Sequence, residues 1–299
     1  MKLKNLSIKD KGLLRKFLGL SRHELAVYAF ENIYIWKGLF DIYWKIIENS
    51  LCVFFKDKFD CFLYLAPLAK NNNPVVIKEA FKIMDGLNKN KEVSRIENIE
   101  EEDVPFYQAL GYACSKKSYD YLCRRTDLVQ LKGNRFKSKR SCFNYFTKHY
   151  AFHDLVLSLR YRDDCIKLYN SWMQERKTHT KDRVYLGMLE DSLNCLESAF
   201  TNYSRLGFIG RLVKINKETK AFTFGFRLNP DTFCILYEIA DLSIKGLSQF
   251  IFRRFSNALE GYKYINIMDD SGLENLKQTK LSYHPAKLIQ AYIAKRKNG

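Results

Sequence analysis

The sequence predicts an α+β fold in two lobes of about 150 residues each, and three observations carry that prediction. The chain has 299 residues, more than one compact core usually needs. Short aromatic and β-branched runs alternate with stretches of helical periodicity, and the order of elements repeats in the two halves. The chain also carries 22 Phe and 19 Tyr, enough apolar surface for two buried cores. The predicted division gives residues 1–150 to an N-terminal lobe with a connecting basic helix, and residues 151–299 to a C-terminal lobe carrying the active site.

Residues 7–18 place Leu13, Leu14, Phe17 and Leu18 at helical spacing among lysines and arginines, an amphipathic opening helix. Residues 42–65 read as a meander of short strands, with turns at Asn49-Ser50 and at Lys56 to Lys58. Pro74 opens a helix running to about Asn88. A strand from Val93 to Ile99 and a short helix ending at Gly111 follow. Residues 119–150 read as a connector containing a helix from about Asn134 to Tyr150. In that helix Phe136, Phe143 and Tyr150 line one face, and Lys137, Arg140, Asn144 and Lys148 line another. The second half predicts helices at 162–176 and 182–201, strands at 206–215, 221–228 and 233–239, a helix at 246–259, a strand at 263–267 and a helix at 273–280. No Pro-, Gly- or Ser-rich linker separates the halves.

Fifty Lys plus Arg against 33 Asp plus Glu leave a net charge of +17. Such a chain attracts polyanions such as tRNA, anionic lipid or phosphate-bearing cofactors, unless the excess is only a solvated surface. The eight cysteines show no C-x-x-C or Cys/His zinc spacing, so they read as reduced, packed thiols, and no metal is expected. The charged N-terminal stretch fails as a signal peptide, and no apolar run reaches bilayer-spanning length. These features place the protein in the cytoplasm, with any membrane contact peripheral.

Three stretches are more specific: LKGNRFKSKRSCFNYF from Leu131, FTFGFRLNPDTFCILYEIAD from Phe222, and YINIMDDSGLENLKQTKLSYHP from Tyr264. In order and over nearly the whole chain, they resemble the signature blocks of the phosphatidylglycerol lysyltransferase C-terminal domain family. The resemblance implies tandem acetyltransferase-like (GNAT) lobes, each a mixed, mostly antiparallel twisted sheet flanked by helices. It also implies acyl-group transfer. Full-length relatives join such a domain to a membrane-embedded flippase and move an amino acid from aminoacyl-tRNA to a lipid headgroup. The expected function is transfer of an aminoacyl group from aminoacyl-tRNA to an amine or hydroxyl on a small molecule, peptide or lipid headgroup. Alternatives are an acyl-CoA-dependent N-acyltransferase and a non-catalytic binding protein on degenerate lobes. No tightly bound cofactor is expected; aminoacyl-tRNA or acyl-CoA enters as donor substrate.

Residues 132–140 hold five cations, Lys132, Arg135, Lys137, Lys139 and Arg140. With Lys148 on the same helix, Lys132, Arg135, Lys137 and Arg140 become candidates for donor phosphate binding, against the alternative of a solvated basic face. In an acetyltransferase lobe the strand ending near Ile239 splays from the parallel strand near Tyr264, admitting the activated carbonyl. The helix that follows aims its N-terminus at donor phosphates, here with Lys245 and Gly246. The loop Ala240–Gly246 lacks the second glycine usual for CoA, which argues modestly for another donor. Glu238, at the end of an apolar strand, is the candidate general base; the alternative is a pair with a nearby cation. Asp270 is a further catalytic candidate, and Asp269 and Asp241 would orient the acceptor. Asp270-Ser271-Gly272 reads equally as a turn capping the next helix. Tyr283 falls where related enzymes carry a general acid, and also reads as an anchoring aromatic. Ile267 and Met268 stand where relatives carry polar residues, so the acceptor is expected to differ. Residues 1–110 hold no comparable cation–glycine loop, so the first lobe reads as degenerate.

Overall fold

The computed structural model describes residues 3–297. Two compact units stand out: Met1–Asp120 with Asp269–Leu273 and Leu288–Gly299 form unit 1, and Tyr121–Met268 with Glu274–Lys287 form unit 2. In chain order unit 1 contains β1 (Lys4–Asn5), α1 (Lys11–Leu18), α2 (Phe30–Ile35), β2 (Asp41–Ile47), β3 (Ser50–Lys56), β4 (Cys61–Leu63), α3 (Pro74–Leu87), β5 (Arg95–Glu100) and α4 (Val104–Ala109). Strand β6 (Tyr112–Arg124) passes the division in sequence. Unit 2 continues with α5 (Arg125–Gln130), α6 (Lys137–His149), β7 (His153–Val156), α7 (Arg162–Thr178), α8 (Arg183–Thr201), α9 (Tyr203–Leu206), β8 (Ile209–Ile215), β9 (Glu218–Arg227), β10 (Thr232–Ala240), α10 (Leu247–Ala258), β11 (Tyr264–Asn266) and α11 (Glu274–Leu281). The last strand, β12 (Lys287–Arg296), lies almost wholly in unit 1.

In unit 1 the strand order is β1-β2-β3-β4-β5-β12-β6, and β4 and β5 are a parallel pair. The β2–β3 hairpin turns through Glu48 and Asn49, both at positive φ, as a tight two-residue hairpin loop requires. Helix α3 starts where Asn73 accepts a hydrogen bond from the Val75 N–H (2.9 Å) and Pro74 supplies a preset φ. Its inner face, Val76, Ile77, Ala80, Phe81 and Met84, is buried with Phe54, Leu63 and Ile96 of the sheet.

Unit 2 has the order β11-β10-β9-β8-β7, antiparallel except for the parallel pair β10–β11, and the end of β6 pairs antiparallel with β11. Helices α6 and α10 cover one sheet face: Phe146 packs on Phe250 (4.8 Å between centroids) over Val213, Ala221 and Ala240. Helices α7 and α8 lie on the other face, where the Tyr237 hydroxyl donates to the Ser192 carbonyl (2.7 Å).

The division at Asp120 and Tyr121 differs from the boundary after residue 150 that the sequence suggests, because the basic helix α6 buries Phe146 in the core of unit 2. Four strands have no counterpart in the sequence reading, the first being the short β1. Strand β6 runs into the start of the expected connector, over residues 119–124, β7 precedes α7, and β12 follows α11. Short helix α2 is likewise additional.

Candidate active site

The site begins with a parting of strands in unit 2. β10 and β11 are paired only at Thr232–Tyr264, Phe233–Ile265 and Cys234–Asn266. Each then follows its other neighbour. The ladder of β10 with β9 shifts register between Ile235 and Tyr237, a bulge that bends and twists the strand, and continues to Ala240. After β11 the Ile267 N–H donates to the Tyr121 carbonyl (3.0 Å), and the Tyr121 N–H donates to the Met268 carbonyl (3.3 Å). The turn is fixed by Asn266, whose side chain accepts from the Met268 N–H (2.7 Å), and by the left-handed φ of +59° at Met268. Among the described residues no strand pairs with the outer half of β10 on this side.

Glu238 lies on that outer half, partly buried, with neighbouring Tyr237 turned to the α8 face. Among the described residues its carboxylate makes no hydrogen bond and no ion pair within 4.0 Å. Burial pushes the carboxyl up to about 8, and the charges of Lys139 and Lys280 pull against that without cancelling it. Lys139, on α6, is shifted the other way: burial lowers its ammonium, with Cys142 and Glu238 opposing. Its Nζ lies 4.2 Å from the ring centroid of Tyr283. Tyr283 is 8% exposed and packs edge-on against Phe252 of α10 (4.5 Å). Burial, then the charge of Glu238, holds its phenol well above the usual range, so it stays protonated at any physiological pH. Lys280 is held by donating to the Ile267 carbonyl (2.5 Å). A raised carboxyl, a protonated phenol and two cations thus converge beside the parted strands.

Gly246 begins α10 at φ +85°, and a Cβ there would overlap the carbonyl oxygen of Cys142 on α6. This glycine therefore lets two helix backbones approach, whatever else it does. Lys245 is exposed, with its Nζ 4.5 Å from the Tyr145 ring centroid. Of the cations on α6 and in the loop before it, Lys132, Lys137 and Lys148 are exposed. Arg135 pairs with Asp127 (3.1 Å) and stacks on Phe136. Arg140 donates to the carbonyls of Leu131 and Gly133 (2.7 Å for the second), bracing a loop with two positive-φ residues.

The aspartates have structural work. Asp241 accepts from the Ser243 N–H (3.1 Å) and hydroxyl (2.6 Å) and pairs with Lys220 (3.2 Å). Asp269 and Asp270 fall in the turn that groups with unit 1. There Asp269 accepts from the Ser271 N–H (3.3 Å) and Asp270 from the Gly272 N–H (2.9 Å), making the turn before α11. Lys139 and Lys280 are the neighbours that the sequence reading of the site omits. The available signal for Lys139 is its offset of seven from Phe146, which puts it on the inward stripe of α6.

Comparison with known proteins bears on the family and the fold. The family model described as phosphatidylglycerol lysyltransferase, C-terminal, matches residues 20–295. No curated protein matches the sequence. Among solved structures, a conserved protein of unknown function from Bacteroides thetaiotaomicron is 25% identical, with 99% of this chain and 100% of that one covered, at a TM-score of 0.89. The structure of L-PGS from Bacillus licheniformis is 17% identical over 99% of this chain and 94% of that one, with a TM-score of 0.67. A tandem GNAT protein from the clavulanic acid biosynthesis pathway is 8% identical over 100% and 99%, with a TM-score of 0.54, a likeness of fold. Among the described residues no helix is long and apolar enough to cross a membrane. With tandem GNAT-like units and a match to the family model over residues 20–295, the chain belongs to the phosphatidylglycerol lysyltransferase C-terminal family.

Proposed function

We propose that this protein is an aminoacyltransferase that moves an aminoacyl group from aminoacyl-tRNA to an amine or hydroxyl acceptor, with the reacting carbonyl in the slot between β10 and β11. The observation that carries the reading is Glu238: a carboxyl beside the parted strands, free of any ion pair among the described residues and raised to about 8. A base of that strength takes a proton near neutral pH far better than an ordinary carboxylate. The acceptor N–H or O–H attacks the ester carbonyl while Glu238 removes its proton. When the tetrahedral adduct collapses, the bond to the tRNA ribose oxygen breaks, and that oxygen takes a proton from Tyr283. Lys139 and Lys280 supply positive potential for the developing oxyanion.

The exposed cations Lys132, Lys137 and Lys148 suit a phosphate backbone read without sequence preference. The family membership supports an aminoacyl donor, since the description of the family, phosphatidylglycerol lysyltransferase, names lysyl transfer to a lipid. The use of Gly246 in helix packing, without a second loop glycine, favours tRNA over acyl-CoA. An amine-bearing or hydroxyl-bearing acceptor, lipid headgroups included, is compatible with the slot, and a peripheral encounter with an anionic membrane would follow from the +17 charge.

The test is incubation with pooled charged tRNA or acyl-CoA and an acceptor mixture, read by mass spectrometry. Expected is acceptor aminoacylation from charged tRNA that Glu238→Gln lowers by about 10²–10⁴-fold. Transfer from acyl-CoA alone, or transfer indifferent to Glu238→Gln, overturns the reading.

A further inference from the structure

Unit 1 contains its own parting of parallel strands, and a cavity opens there. β4 and β5 pair only at Leu63–Ile96. Beyond it the chain after β4 stays with β3, through Tyr64 N–H to Val53 (2.9 Å) and the mutual Leu51–Leu68 bonds (2.9 Å each way). β5 instead follows β12, pairing Ile99 with Tyr292 and Glu100 with Ala291. The gap is held open by Asn98, at a left-handed φ of +53°. Its amide donates to the Tyr64 carbonyl (2.8 Å), and its backbone carbonyl accepts from the Tyr28 hydroxyl (2.7 Å).

The cavity has a volume of about 130 Å³. That is room for roughly four water molecules, and well short of the ~300 Å³ at which cofactor sites begin. Its wall is built. The His23 ring lies flat on Tyr28 (4.1 Å between centroids), and its Nδ1 is 2.7 Å from the Glu100 carboxylate. Glu102 and Asp103 add two further carboxylates, and Arg22 and Lys70 bring cations to the same small space. Asp103 also accepts from the Asn72 amide (2.7 Å), and Arg22, Lys70 and Glu102 are exposed at the rim, so the mouth of the cavity presents both signs of charge. A ligand with both charges a few ångströms apart meets each with its opposite.

We propose that this cavity binds a small zwitterion, a free amino acid, with its ammonium toward Glu102 and Asp103 and its carboxylate toward Arg22 and Lys70. The inference is independent of the transfer reaction proposed for unit 2.

Calorimetric titration and thermal unfolding of the full chain with glycine, alanine and serine test it. Matched sodium acetate and methylammonium chloride, each carrying half of the zwitterion, are the controls. Expected is saturable heat with a rise of several degrees in Tm for the amino acids, neither half reproducing it. Glu102→Gln, on an exposed side chain, should weaken binding about tenfold, and Glu238→Gln should leave it unchanged. Absence of saturable binding, or an equal response to acetate or methylammonium, overturns the proposal. So does loss of binding in Glu238→Gln, which would assign the ligand to unit 2.

Discussion

Glu97 of β5 and Glu238 of β10 each lie on a member of a parallel strand pair that parts, one pair in each unit, and they have opposite fates. Glu97 is 8% exposed, and burial alone would raise its carboxyl. Lys117 (2.5 Å) and Arg95 (2.6 Å) outweigh the burial and hold it below the ordinary range. Around Glu238 the nearest cations act from beyond ion-pair distance, burial wins, and the carboxyl rises to about 8. The same residue type at a strand parting is a fastening in one unit and a poised proton acceptor in the other. What decides between them is whether a cation reaches the carboxylate, not how deeply the carboxylate lies.

The widest gap between the two should appear in catalysis. Glu238→Gln is expected to cost the transfer reaction its two to four decades, whereas Glu97→Gln should leave kcat within a fewfold of wild type at temperatures where it is folded. Equal losses would abolish the distinction.

Stability should separate them in the other direction. Glu97→Gln removes the carboxylate that Lys117 and Arg95 share, while Lys117 keeps Asn98 and Arg95 keeps Asp60, so it should destabilise unit 1 by about 1–2 kcal/mol. Glu238→Gln removes a carboxyl whose ionisation the fold opposes. Its folded value lies above its unfolded one, so the penalty is absent at acid pH and grows as pH rises from the unfolded value toward about 8. The variant should therefore match wild type at about pH 4 and exceed it by a few degrees in Tm at about pH 9. For Glu97 the folded value is depressed, so its contribution is present above the unfolded value and fades as pH falls through the folded one. Chemical denaturation at several pH values reads both.

The smallest effects belong to the surface cations. Lys132→Ala and Lys137→Ala should each reduce the slope of log K against log salt for tRNA binding by somewhat under one. Arg140→Ala should instead disturb the loop it braces, because its donors are already engaged by Leu131 and Gly133. A slope unchanged by the lysine substitutions would remove α6 from the donor surface.

Much of this was legible before any coordinates. β10 and α10 announce themselves through an apolar run and a helical stripe, and a single carboxylate in the run Phe233–Ile239 marks Glu238. Strand β12 was not legible, because Lys287–Arg296 mixes Ala, Leu, Gln and Lys, which favour helix when packing does not intervene. β6 hid because its first half is polar and mostly exposed, so no alternation marks it. Lys139 was lost among like charges, its offset of seven from Phe146 being a faint mark beside four neighbouring cations. For Asp241, Asp269 and Asp270 the pattern allowed either turn chemistry or substrate contact, and each side chain accepts a local hydrogen bond in its turn.

The poised state of Glu238 is itself measurable. Carbon-13 titration of side-chain carboxyls, with Glu238→Gln used to assign the resonance, should give an inflection near 8 for Glu238 and one below the ordinary glutamate value for Glu97. An inflection for Glu238 in the ordinary range, near 4–5, would mean that water or a cation reaches the carboxylate, and the proposed base would be gone.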